Sequence, residues 1–187
     1  MENKTVDVST AKILGGLGYV FILLLLMPYV GWLLSLAGLV MAVIAINQIS
    51  KALNTPDIFK NYIIALIVQI LGVVIAVIFG FGIFVSVGAF SGFKEEGFIA
   101  GLGVGLVIFL LVSYILGIAS NFLFYKVFST LGNRINVSLF KIGGLLLFIG
   151  AILVIAFGFG IILYLIAYIL IAIGFFSMPS QLSLEEG

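Results

Sequence analysis

The chain has 187 residues, 64% of them hydrophobic and only 8% charged, with a formal net charge of +1. Soluble domains run at roughly 45–50% apolar and about 25% charged, so no soluble fold of this length hides so much apolar surface. The near-neutral balance gives no basic field for nucleic acid, and the absence of His and Cys removes Ser–His and Cys nucleophiles, His or Cys metal centres, the usual haem ligands and every disulfide.

The charged residues lie between apolar blocks, and the blocks set the elements in chain order. Residues 1–11 form a polar tail, and the run from residue 12 lacks a small-residue cleavage pattern, so it is read as a first span rather than a cleaved signal peptide. Ile13 to Ser50 would be about 57 Å long as one helix, nearly twice a hydrocarbon core of about 30 Å, and must be two spans. Pro28, Tyr29, Val30 and Gly31 supply the break, giving spans over about 12–28 and 31–50. A longer helix follows over 57–87, with Thr55 and Pro56 as N-cap and first-turn residues. The next covers 97–128. Phe84 to Phe93 overshoots the core thickness, as a helix extension or as a segment in the interface. Ile142 to Met178 repeats the arithmetic and breaks at Phe157, Gly158, Phe159 and Gly160, giving spans over 140–157 and 160–178 before a second tail, 179–187. The expected fold class is all-α, an integral membrane bundle of six transmembrane helices in one polytopic domain: a short hairpin, two longer helices and a short hairpin.

With six spans, Lys4, Lys12, Lys51, Lys60, Lys126, Arg134 and Lys141 share one face and Lys94 stands alone on the other. That bias puts both termini in the cytoplasm, in a cytoplasmic membrane. Tyr29 and Trp32 then sit at the outer interface. Phe122, Phe124, Tyr125 and Lys126 make an inner anchor with a snorkelling lysine. The sequons at Asn3 and Asn136 fall inside, away from glycosylation machinery. Two internal similarities stand out: Lys12, Ile13, Leu14, Gly15, Gly16, Leu17 against Lys141, Ile142, Gly143, Gly144, Leu145; and Phe79 to Ile83 against Phe157 to Ile161, with Gly72 and Gly150 at the same offset. Three in-out-in hairpins is one reading and a duplicated hairpin another, and since both repeats are parallel they give no support to an inverted-repeat transporter.

Glycine is the most patterned residue. Gly97, Gly101 and Gly105 at spacing four, continued by Ser113, Gly117 and Asn121, let another helix backbone approach closely, as a packing face within the bundle or as a homo-oligomer seam. Gly101, Gly103 and Gly105 are no dinucleotide fingerprint, since no strand precedes them and residue 106 is Leu. Gln69 is the deepest polar residue, about 16 Å along its span. Tyr168 lies at similar depth, with Ser113 and Tyr114 somewhat past midplane. Unsatisfied, such groups cost several kcal/mol in hydrocarbon, so they are expected to face the bundle interior, as interhelical bonds or as the lining of a solute path. No acidic or basic residue lies within a span, which weighs against a pump or a coupled transporter. Paired carboxylates for lipid chemistry are missing too: Asp57 is the one acid near the inner boundary besides Asp7, and Glu95 with Glu96 form an outer, solvated turn. No catalytic residue, cofactor site or metal site is expected.

Several stretches together resemble the family of prokaryotic, mostly archaeal, multi-spanning proteins known as domain of unknown function 996. They are Ala11, Lys12, Ile13, Leu14, Gly15, Gly16, Leu17, Gly18; Pro28, Tyr29, Val30, Gly31; Pro56, Asp57, Ile58, Phe59 with Asn61; Leu139, Phe140, Lys141 followed by Gly143, Gly144, Leu145; and Phe175, Phe176, Ser177, Met178, Pro179. The resemblance implies a polytopic membrane protein and carries no activity or catalytic residue with it. The expected role is a non-enzymatic accessory or scaffold subunit acting through glycine-rich helix faces, with membrane lipid and a membrane-protein partner or further copies of itself around it. The alternative is a channel or transporter for a small neutral or lipidic solute along Gln69, Ser113, Tyr114 and Tyr168.

Overall fold

The computed structural model describes residues 5–89, 96–155 and 158–183, and within them the side chains other than those of 80–81, 83–89, 96–102, 104 and 183. Among the described residues the chain forms six helices: α1 Ser9–Leu23, continued by a 3-10 turn over Leu24–Leu26; α2 Gly31–Ala52; α3 Pro56–Ala89; α4 Glu96–Arg134; α5 Ser138–Leu153; and α6 Phe159–Ser177. Two short strands, β1 Thr5–Asp7 and β2 Gln181–Ser183, pair antiparallel with Val6 opposite Leu182. Five of the helices are long and apolar enough to cross a membrane. The exception is α5, whose 16 residues span about 24 Å.

Four of the turns reverse the chain through one residue with left-handed backbone: Tyr29 (φ 68°), Asn54 (φ 50°), Asn136 (φ 55°) and Gly158 (φ 77°). Asparagine and glycine tolerate that region, whereas Tyr29 bears a steric cost on the order of 1 kcal/mol. The break expected at residues 28–31 is therefore present, and it works through Tyr29 as well as proline. Thr55 behaves otherwise than expected. Its hydroxyl is buried without a hydrogen-bond partner, while its carbonyl accepts from the Ser50 hydroxyl at 2.7 Å. The resemblance of Phe79–Ile83 to Phe157–Ile161 is not structural either: Gly80 continues α3, while Gly158 closes a turn.

Successive helices pack side by side and α6 returns against α1, so the six form a closed ring in which α2 and α3 touch far less than the other neighbouring pairs. Both outer hairpins close on glycine crossings. A Cβ on Gly18 would lie 2.8 Å from the Gly38 carbonyl oxygen, and one on Gly150 would lie 3.1 Å from that of Gly160. Backbones at that distance leave no room for a side chain, and the contact is made of dispersion and Cα–H···O interactions.

The tails are ordered against one another. Apart from the strand pairing, Val8 donates its amide to the Ser180 carbonyl at 2.8 Å, and Lys12 Nζ donates to the Met178 carbonyl at 2.8 Å. The lysine thus satisfies a carbonyl just past the end of α6, where the helix leaves its last acceptors free. Asp7 Oδ1 accepts from the Ser9 amide at 2.8 Å and the Ser9 hydroxyl at 2.6 Å. Those bonds, the hydroxyl's first, hold its carboxyl below the ordinary 3.8. The segments flanking α1 and α6 therefore meet at one end of the bundle, as six helices running alternately up and down require.

Candidate functional site

The core is concentrated at the end of the bundle where the tails meet. Tyr62, Phe128, Phe140, Phe175, Ile46, Ile49, Ile58 and Leu131 are among its largest fully buried side chains. Its aromatic layer is continuous. The Tyr19 ring packs 5.8 Å from Phe128, 5.8 Å from Phe175 and 5.9 Å from Tyr168, and Tyr62 packs edge-on against Phe124 at 5.4 Å. At its centre the hydroxyls of Tyr19 and Tyr62 lie 3.2 Å apart, bonding α1 to α3 across the interior. Two hydroxyls carry two protons, and this contact uses one.

One level further on, the Ser120 hydroxyl donates to the Ala65 carbonyl at 2.9 Å, clasping α4 to α3. Beyond that clasp the inner side of the α3–α4 hairpin opens. Ile58, Tyr62, Ala65 and Gln69 recur at i, i+4, i+7 and i+11 and so share one face of α3. The first three are buried, yet Gln69 is exposed and Val73, a turn on, is 54% exposed. The pattern repeats on α4, where Phe128, Phe124, Asn121, Gly117, Leu110 and Leu106 lie on one face. Phe128 and Asn121 are buried, a Cβ on Gly117 would meet nothing within 4 Å, and Leu110 and Leu106 are exposed. At the level of Gln69 the loose packing of α2 on α3 leaves the face open. Further on, at the level of Tyr114, whose hydroxyl donates to the Ile152 carbonyl at 2.9 Å in the last turn of α5, α5 ends, and α4 runs on past Leu110 and Leu106 for about another 27 Å.

The residues singled out for a midplane polar path therefore separate. Gln69 shares the face of the buried Tyr62, but no helix of the chain covers it there. Tyr114 secures a helix end. Tyr168 stands in the aromatic layer, 6.4 Å from Tyr164 as well as beside Tyr19. Ser113 Oγ is buried with no hydrogen-bond partner. What the fold brings together instead is Tyr19, Tyr62 and Tyr168. Tyr62 was legible from its spacing with Gln69; Tyr19 sits in a glycine run that carries no polar signal.

Gly105 and Gly117 do not make close approaches to another helix: among the described residues no atom lies within 4 Å of a Cβ built on either. The surroundings of Gly97 and Gly101 lie outside the described residues. Asn121 donates to the Gly117 carbonyl at 2.8 Å, a bond within α4 itself. On the outside of the hairpin, Lys126 Nζ sits 4.8 Å from the centre of the Phe122 ring, so the anchor lysine folds back along its own helix.

A ring of apolar helices with its buried core at one end and an uncovered hairpin at the other defines a polytopic helical membrane protein. Residues 34–169 match the family described as "Protein of unknown function (DUF996)". The chain is also 36% identical over 182 residues to an uncharacterized protein of Methanocaldococcus jannaschii, an alignment covering 96% of this chain and 98% of that one. The chain belongs to the DUF996 family. No solved structure matches it.

Proposed function

We propose that this protein is a non-enzymatic accessory or scaffold subunit of the cytoplasmic membrane, and that the α3–α4 hairpin is the part that takes up another membrane helix. The observation carrying this reading is the change of environment along one face: buried at Ile58, Tyr62 and Ala65, uncovered at Gln69 and Val73. Lipid supplies no hydrophobic drive between helices, so association in a membrane depends on small residues that admit a backbone and on polar groups that bond across. The open side offers both, in Gly117 and in Gln69. Its partners are membrane lipid and a membrane protein, a further copy included, and not nucleic acid. With seven basic residues on the tail side, both termini face the cytoplasm.

The test is native mass spectrometry of the protein extracted from its own membrane, with Gly117→Leu as the variant, since a side chain there meets open space within the chain. A stoichiometric partner that is lost in the variant supports the reading. A wild-type protein that travels alone overturns it. Reporter fusions at the two termini check the topology, and both are expected on the cytoplasmic side.

A second reading, a channel or transporter for a small neutral or lipidic solute, draws on the same opening, because Gln69 and Gly117 border uncovered space above the aromatic layer. Solute flux into liposomes that is unchanged by Gln69→Leu would remove that residue from any path.

A further inference from the structure

Gln69 lies nine residues beyond Lys60, about 14 Å into a core of about 30 Å, and so close to midplane. It is exposed on the surface of its own chain, and among the described residues no side-chain hydrogen bond reaches it. A primary amide in hydrocarbon without partners costs several kcal/mol, and no water is present at that depth to supply them. Acyl chains cannot supply them either. The bonds must come from a polar group on another protein segment at the same depth.

We propose that the segment is α3 of a second copy of this chain, and that two Gln69 amides pair across a two-fold axis between facing α3–α4 hairpins. A primary amide donates through its NH2 and accepts through its carbonyl, so two related by a two-fold satisfy one another, and the contact is self-complementary as an isologous interface requires. From the amides onward the face is apolar and uncovered. Val73 and Val77 on α3 and, further along the hairpin, Leu110 and Leu106 on α4 are between 40% and 63% exposed. No charged residue lies on either hairpin face at this level to repel an identical face. The pairing rests on the scaffold reading above and names its partner.

The chain contains no cysteine, so Gln69→Cys introduces a single thiol that bridges to its counterpart only if the two Cα atoms come within about 7 Å. Mild copper-phenanthroline oxidation in native membranes is expected to give a disulfide-linked homodimer. Ile115→Cys, on another face of α4 and 62% exposed, is expected to give none. In the cysteine-free chain, native mass spectrometry is expected to show dimers whose dissociation constant rises about threefold to tenfold in Gln69→Leu and recovers in Gln69→Asn. Equal crosslinking at both positions, which reports random collision, overturns the proposal, as does a dimer indifferent to Gln69→Leu. Capture of a different protein at residue 69 overturns the second copy while leaving the scaffold reading standing. A monomer with no partner overturns both.

Discussion

The hydroxyls of Tyr19 and Tyr62 meet at 3.2 Å inside the bundle, tying the first helix to the third, two elements that are not neighbours around the ring. Both side chains are at most 3% exposed, so each depends on the other for its polar atom. Removing one hydroxyl leaves its partner buried and unsatisfied, whereas removing both leaves two phenylalanine rings in the same layer. Tyr62→Phe is therefore expected to lower stability by about 0.5–1.5 kcal/mol, and Tyr19→Phe in that background to cost clearly less than it does alone. Reversible unfolding in detergent micelles of the two single variants and the double variant measures the coupling. Strict additivity would show that the pair does not act as one.

Glycine variants separate contacts inside the chain from the open face. At Gly38 an added side chain meets the backbone of α1 across the Gly18 crossing, and backbone cannot move aside as a flexible side chain does. Gly38→Leu is expected to destabilise the monomer by at least about 1–3 kcal/mol. Gly105→Leu meets open space and should stay within about 0.5 kcal/mol. Thermal melts of the two purified variants decide the matter, and equal losses would contradict the packing described.

Lys12 bonds to the carbonyl of Met178, next to the strands formed by the tails. Lys12→Met keeps the apolar stem and removes the donor. Hydrogen exchange at Val6 and Leu182 is expected to accelerate, with a loss of about 1 kcal/mol of local protection. Unchanged exchange would mean that strand pairing alone holds the tails.

The same clasp responds to acid. The Asp7 carboxyl is held below its ordinary value of 3.8 by the Ser9 hydroxyl and amide. A carboxyl lowered in the folded state stabilises above its unfolded value and loses that contribution as pH falls through the folded one. Protection of the Ser9 amide, measured against its intrinsic exchange rate at each pH, should therefore be steady from neutrality to about pH 4 and fall below it, and Asp7→Asn should flatten the dependence.

Composition and charge spacing by themselves determined that this is a membrane protein, that its apolar blocks make six helices, and that the outer hairpins are short and the middle helices long. Those properties depend on local sums: how many apolar residues lie between charges, and where proline or glycine interrupts them. The tertiary structure decided which polar groups find partners. Spacing places Gln69 on the face of Tyr62, but whether a helix covers that face depends on how loosely α2 meets α3, which is not a property of α3 alone. The same holds for glycine. Spacing put Gly105 and Gly117 in one series of small residues, yet inside the chain neither meets another helix, and close crossings fall at Gly18 with Gly38 and Gly150 with Gly160, because a backbone contact needs small residues on both helices at one level. The strand joining the tails had no local signal, since three residues pair only when the bundle has already brought their two ends together.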